Sequence, residues 1–574
     1  MDETHFDAVV VGSGFGGSVM AYRLAEAGMR VCLLERGKAY PPGSFPRSPY
    51  GMKNNVWDPS EGFFGLFNIW SFQNLAAIIS SGLGGGSLIY ANVLLRKDER
   101  WFVRDDARDG SSTPWPVTRA DLDPHYDRVE KMLNAQVYPF DQPPYDATSK
   151  TRAFRAAAQQ LKLDWFLPKL AVTFGNEGEA PVPGEPIREA QPNLHGRTRS
   201  TCRLCGECDF GCNYGSKNTL DYTYLSEAKR LGADLRTCCE VKNFAPRDGG
   251  GYTIDYVRHD PAAQAAANGP SRALPSPPLT ITADRLILSA GTLGSTYLLL
   301  KNRAAFPKLS EALGTRFCDN GDLLAFALKC RDDSSGSPVP RVIDAGRGPV
   351  ITSTIRVADS LDGGQGRGFY IQDAGYPEFV SWLLQLCDVP AEVANVVGVV
   401  KRVVGFWLRR GTETDVDPDL ERLFGSCELS AGLLPLLGMG RNVASGTMEL
   451  RGKFLDVDWP ANQALPYVQR VRDTMHGISQ ALGGTFLDDP IWWLSRVITV
   501  HALGGCPMGQ APSEGVVDSH GQVFNYPGLY VADGSVMPAA VGANPSLTIA
   551  ALADRFADGI VEGGGLGATE AARQ

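Results

Sequence analysis

Two short apolar runs stand near the start of the chain, Phe6–Val11 and Val31–Leu34. Mostly apolar runs of this length beside a glycine-rich turn predict buried parallel strands. Between them Val19, Ala21, Leu24 and Ala25 recur at helical spacing, and Gly28 closes that helix. A further buried strand is expected at Leu286–Ser289, and a second glycine-rich block lies at Gly82–Ser87. The proline-rich stretch from about Pro114 to Pro192 reads as loop, Asp260–Pro278 as a surface excursion, and the chain after about Val561 as a frayed end. Val393, Val396, Val397, Val400, Val403, Val404 and Trp407 are helically spaced and flanked by Lys401, Arg402, Arg409 and Arg410. That pattern suits either an interfacial lid helix or a buried helix with snorkelling cations. Phe63, Phe64, Phe67 and Trp70 make a second aromatic stretch, expected near a channel mouth.

The turn between the first strand and helix reads Gly12-Ser13-Gly14-Phe15-Gly16-Gly17, a G-x-G-x-x-G in its proper strand–turn–helix context. The first glycine makes the tight turn, the second admits a pyrophosphate, and the third lets helix and strand pack closely. Glu35 ends the second strand, where a carboxylate can accept from ribose hydroxyls, and Arg36 follows it. The motif predicts a dinucleotide site without separating NAD from FAD.

At 574 residues the chain is too long for one simple core and predicts at least two lobes. A net charge of −9 argues against a nucleic-acid binder. Neither a basic–apolar leader nor an 18-residue apolar run is present, so a cytoplasmic protein is expected, with peripheral membrane contact as the alternative. Its twelve cysteines are then expected as thiols or ligands.

Gly84-Gly85-Gly86-Ser87 with Asn92, Ala290-Gly291, the run from His501 through Gly504-Gly505 to Gly509, Asp533-Gly534 and Asn544-Pro545 occur in that order along the chain. Together they resemble the glucose-methanol-choline (GMC) oxidoreductases, within them a cholesterol-oxidase-like branch carrying a cysteine-rich insert. The resemblance implies an α/β fold: an FAD-binding Rossmann-type domain (1–100, 201–330 and 500–566) and a substrate-binding α+β domain with a large antiparallel sheet (101–200 and 331–499). It implies FAD held by the first glycine turn, Glu35, the second glycine block, Val241 as an adenine-side backbone contact, and Asp533, Gly534 and Pro545 at the flavin end. His501 and Asn544 match the pair that handles the alcohol hydroxyl while hydride leaves carbon. Each has a blander reading: a structural histidine beside a glycine turn, a turn-starting asparagine, and for Asp533 a cap. A bulky hydrophobic alcohol (sterol, terpenoid or long-chain) is the expected substrate.

Steroid oxidases of this family also use a glutamate for a double-bond shift. Here Gln372 stands at or beside that position with Asp373 next to it. An amide cannot act as a base, and adjacent strand residues face opposite ways. Asp373 could substitute only if the strand register turns it inward; a solvated carboxylate is the favoured reading, and isomerase chemistry is in doubt.

Cys202, Cys205, Cys208 and Cys212 form C-x2-C-x2-C-x3-C, a ferredoxin-type spacing followed by Asn213 instead of proline. An iron–sulfur cluster, [3Fe-4S] or [4Fe-4S], is favoured over zinc, labile disulfides or packed thiols. Either oxygen or an electron-carrier protein is then the acceptor, the cluster being the route to the carrier.

Overall fold

The computed structural model describes residues 4–48, 51–52, 54–105, 111–261, 277–332, 338–358, 367–376, 432–459, 465–488 and 497–570. The expected Val393–Trp407 helix and most of the Asp260–Pro278 excursion lie outside the described residues.

Strand His5–Val11 pairs in parallel with Val31–Leu34 on one side and Leu279–Leu288 on the other. Asp234–Arg236 extends the sheet beyond Val31–Leu34, and Leu529–Val531 runs parallel to Leu286–Leu288. Tyr252–Arg258 and Cys239–Pro246 add an antiparallel edge. The central strands are buried and apolar over Ala8–Val11, Val31–Leu34 and Leu286–Leu288, as strands covered on both faces require. Helix Phe15–Glu26 packs against the C-terminal helix Ser546–Glu570 and against Tyr224–Arg230. The end expected to fray is therefore helical as far as Glu570.

A second sheet is wholly antiparallel, in the order Asp164–Phe166, Thr354–Val357, Phe369–Asp373, Leu434–Gly440, Leu323–Leu328 and Thr485–Asp488. Helices Leu465–Ala481 and Ser149–Leu161 pack on it around Ile355, Ile371, Leu436, Val471 and Met475. The α/β architecture with one Rossmann-type and one large antiparallel sheet is as expected. Leu323–Leu328 joins the antiparallel sheet, where the buried alternation of Leu323, Ala325 and Ala327 suits a sheet covered on one face. Arg119–Met132, assigned to the substrate lobe and read as loop, is a helix packed on Ser546–Glu570. Thr118 and Asp121 form its capping box, and Pro124 is tolerated near its start. Ser149–Leu161 likewise replaces expected loop. No helix among the described residues is long and apolar enough to cross a membrane.

Candidate active site

The glycine turn separates two kinds of constraint. A Cβ on Gly12 would sit 2.3 Å from the Ser289 carbonyl oxygen, one on Gly16 1.5 Å from that of Ala532, and one on Gly17 2.0 Å from that of Gly12. Those glycines serve the packing of strand, turn and helix. A Cβ on Gly14 meets nothing within 4 Å, and neither does one on Gly86 in the second glycine block. The two blocks touch: a Cβ on Gly85 would lie 2.6 Å from the Gly14 Cα. Gly14 and Gly86 therefore leave space that the chain itself does not fill, where a pyrophosphate can approach bare backbone.

Glu35 braces this cradle. One carboxylate oxygen accepts from the Ser13 amide at 3.1 Å and the Ser13 hydroxyl at 2.6 Å, the other from the Gly37 amide at 2.7 Å. Arg36 donates to Asn68 and lies over the Trp57 ring. The Ser87 hydroxyl is used within the chain, donating to the Gly84 carbonyl and accepting from the Leu220 amide. Asn92 is fully buried in left-handed backbone, yet neither polar atom of its side chain has a partner. A buried amide with nothing to bond is costly and points to an absent polar group. A dinucleotide fits these residues.

The Asp533 carboxylate is engaged within the chain. Its carboxylate accepts from the Gly291 amide, the Ser295 hydroxyl, and both the amide and hydroxyl of Ser535, capping the turn Gly534–Val536. Ala290 and Gly291 open the helix Gly291–Lys301 beside it. Pro545 precedes the C-terminal helix, its carbonyl accepting from the Ile549 amide. Val241 is buried in the Cys239–Pro246 strand, two residues after Cys239, whose amide donates to the Glu35 carbonyl.

His501 and Asn544 hang from one turn, Asp319–Asp322, which leads into strand Leu323–Leu328. His501 Nδ1 lies 2.6 Å from Asp322 Oδ1. Asp322 Oδ2 accepts from the Thr499 hydroxyl at 2.9 Å and the Val500 amide at 3.1 Å, so the carboxylate is fixed before it meets the imidazole. Two residues away, Asn320 accepts from the Gly542 amide and donates to the Ala543 carbonyl, setting the backbone that presents Asn544. Asp322 and Asn320 carried no motif signal and were not foreseen; only their folded contacts reveal them. With Asp322 on Nδ1, the imidazole carries its hydrogen there and turns an unprotonated Nε2 outwards.

Gln372 comes from the antiparallel sheet to Asn544. Its Nε2 donates to Asn544 Oδ1 at 2.9 Å, and the Asn544 amide returns a longer contact of 3.3 Å. The expectation of a solvated Asp373 is overturned. Asp373 is fully buried on the other side of the strand and accepts from the amides of Thr352 and Ser353 and from the Thr352 hydroxyl. Strand alternation sends the amide to the site and the carboxylate away from it.

Asp319 is also buried, accepting from the Gly321 amide and the Asn442 side chain. Burial, with Asp322 nearby, pushes its carboxyl up from 3.8 to about 7. The folded state thus holds this proton more tightly than the unfolded chain, and the associated stability is present below about pH 4 and lost as pH rises towards 7. The melting temperature is expected to fall across that window, and less steeply in Asp319→Asn. Equal slopes in the two proteins would show that Asp319 does not titrate there.

Residues 488–553 match the family described as GMC oxidoreductase, and residues 10–42 match an NAD(P)-binding Rossmann-like domain. Cholesterol oxidase from Mycobacterium tuberculosis is 29% identical, covering 96% of this chain and 90% of its own. The chain carries a GMC oxidoreductase C-terminal domain and an N-terminal Rossmann-like segment, and is similar to cholesterol oxidases over nearly its full length. A long-chain-alcohol oxidase from Arabidopsis thaliana is 23% identical over 97% of this chain and 67% of that protein. Among solved structures, pyridoxine 4-oxidase from Mesorbium loti superposes with a TM-score of 0.53 at 17% identity, covering 96% of this chain and 98% of that chain, a likeness of fold. The chain is an enzyme acting on CH–OH donors, and its GMC domain and Rossmann segment indicate FAD as the cofactor.

Proposed function

We propose that the enzyme oxidises a hydrophobic alcohol, a sterol, terpenoid or long-chain alcohol, to its carbonyl, using His501 as base and Asn544 to orient the hydroxyl. The observation that carries this is the turn Asp319–Asp322, which holds both residues through Asp322 and Asn320. FAD, when bound, supplies the hydride acceptor. Gly14, Gly85, Gly86 and Asn92 would hold it, on the turn that Gly12, Gly16, Gly17 and Glu35 shape. His501 takes the hydroxyl proton on Nε2, and the Asp322 carboxylate stabilises the imidazolium that results. Asn544 aims its amide at the hydroxyl, and the buried Gln372 amide keeps Asn544 from rotating. The neutral Asn544–Gln372 pair and the two alcohol-oxidising relatives support an apolar alcohol over a charged one.

Purified enzyme mixed without oxygen with sterols, terpenoid alcohols and long-chain alcohols should show flavin bleaching by at least one class. Bleaching only by small polar or sugar alcohols would overturn the substrate class. Gln372 has no proton-shuttling cycle near neutral pH, so an unsaturated sterol should yield its ketone with the double bond unmoved. Chromatography of the product checks this, and a conjugated enone formed at the rate of oxidation would contradict it. A second reading concerns only where the electrons go. All four residues of the cysteine motif line one cavity, which favours passage through an iron–sulfur cluster to a carrier protein over direct reaction with oxygen.

A further inference from the structure

Cys202, Cys205, Cys208 and Cys212 are free thiols around a single cavity closed by Lys217 and Gly348. The loop that carries them is shaped backbone-first. Leu204, Gly206 and Gly211 all take positive φ, and a Cβ on Gly206 would lie 2.4 Å from the Gly346 carbonyl oxygen. The Gly206 amide donates to the Gly348 carbonyl and the Gly348 amide to the Leu204 carbonyl, clamping the loop to a neighbouring segment. The amides of Leu204, Glu207 and Val350 are directed at the sulfurs of Cys202, Cys205 and Cys208. Backbone N–H groups aimed at sulfur are what ligating thiolates require.

A single ion suits the cavity poorly. Tetrahedral zinc, with Zn–S bonds of ~2.3 Å, draws its sulfurs to within about 4 Å of one another. Among the described residues, the sole trio of potential ligand atoms lying within 4.8 Å of one another is His125, Asp554 and Asp558, so no three of these sulfurs are that close. A larger inorganic core spans them better.

Lys217 supplies the independent observation. It is buried, 1% exposed, and its ammonium donates to the carbonyls of Cys208 at 2.9 Å, Tyr90 at 2.8 Å and Leu88 at 3.2 Å. Among the described residues no carboxylate stands within salt-bridge distance of it, and the charged or chargeable groups facing it are Cys208, Asp209, Cys212 and Asp221. A buried cation without a bonded anion is expensive, and its surroundings call for one. Leu88 and Tyr90 follow directly on Gly85-Gly86-Ser87, so the same ammonium joins the cysteine loop to the dinucleotide cradle.

We propose that Cys202, Cys205, Cys208 and Cys212 ligate an iron–sulfur cluster, that Lys217 is its buried counter-cation, and that the cluster is the exit for electrons from the flavin side. Oxidation of one alcohol to its carbonyl releases two electrons and two protons. The cluster passes the electrons singly to two equivalents of a one-electron carrier protein, and the protons leave to solvent. Cluster binding stands independently of which alcohol is used; its electron-transfer role rests on the alcohol-oxidation reading above.

The test is anaerobic purification of the full chain, with iron and acid-labile sulfide assays, electron paramagnetic resonance after chemical reduction, and FAD content as a check on folding. Iron and sulfide in roughly equal amounts with a cluster signal are expected. Cys208→Ser should lose most of both while retaining FAD. Lys217→Met should move the cluster potential to more negative values, and Lys217→Arg should restore it. Zinc alone, or FAD-replete protein with no iron or sulfide, would overturn the proposal, as would a potential unmoved in Lys217→Met. A normal cluster signal under chemical reduction, with no alcohol able to reduce the protein, would instead count against the alcohol reading alone.

Discussion

Replacing His501 with Ala is expected to lower the rate of alcohol-dependent flavin reduction by ~10²–10⁴-fold, the span that a positioned general base contributes. FAD content should be unchanged, because among the described residues His501 bonds only Asp322 and Thr499. Asp322→Asn is expected to give much of the same loss in kcat with a smaller change in KM. Its amide can offer an N–H where the imidazole needs an acceptor, which favours the tautomer with Nε2 protonated and useless as a base. The pH profile separates this from mere loosening. The acidic limb should move to lower pH in Asp322→Asn, because the imidazolium loses its carboxylate partner, whereas a structural defect would lower the whole profile evenly. An Asp322→Asn enzyme with wild-type kcat would remove Asp322 from the mechanism.

The second large effect concerns the glycine cradle. Gly16→Ala puts a methyl 1.5 Å from the Ala532 carbonyl oxygen, against backbone that cannot move aside cheaply. It is expected to destabilise the fold by about 3 kcal/mol or more. Gly14→Ala places its methyl in open space, so the protein should fold with a near-normal melting temperature when stripped of cofactor. It should nevertheless be isolated with little FAD, because that space is where the pyrophosphate approaches. The two variants thus separate packing from binding at positions two residues apart. Measuring flavin stoichiometry and the melting temperature of the stripped protein checks both, and full FAD occupancy in Gly14→Ala would contradict the assigned cradle.

What could be read from the sequence followed how local the physics is. Gly12, Gly16 and Gly17 act within one strand–turn–helix unit, so their spacing alone announces the unit. His501 and Asn544 were singled out by the order of motifs around them. Asp322 was not, because it meets His501 across 179 residues and from the head of a strand in the other sheet. Asp373 misled for the same reason: its partners Thr352 and Ser353 lie beside the neighbouring strand, and nothing next to it in sequence marks it as buried. The helix Arg119–Met132 was hidden by the prolines around it, although Thr118 and Asp121 already carried its start signal. Asp533 shows the reverse case, a motif residue whose carboxylate is consumed in holding the turn that the motif needs.

The most direct measurement is rapid mixing, without oxygen, of the FAD-replete enzyme with a hydrophobic secondary alcohol and with the same alcohol deuterated at its carbinol carbon. Flavin bleaching that is several-fold slower with deuterium, and lost ~10²-fold or more in His501→Ala, is the predicted result. Bleaching indifferent both to deuterium and to His501 would contradict the account.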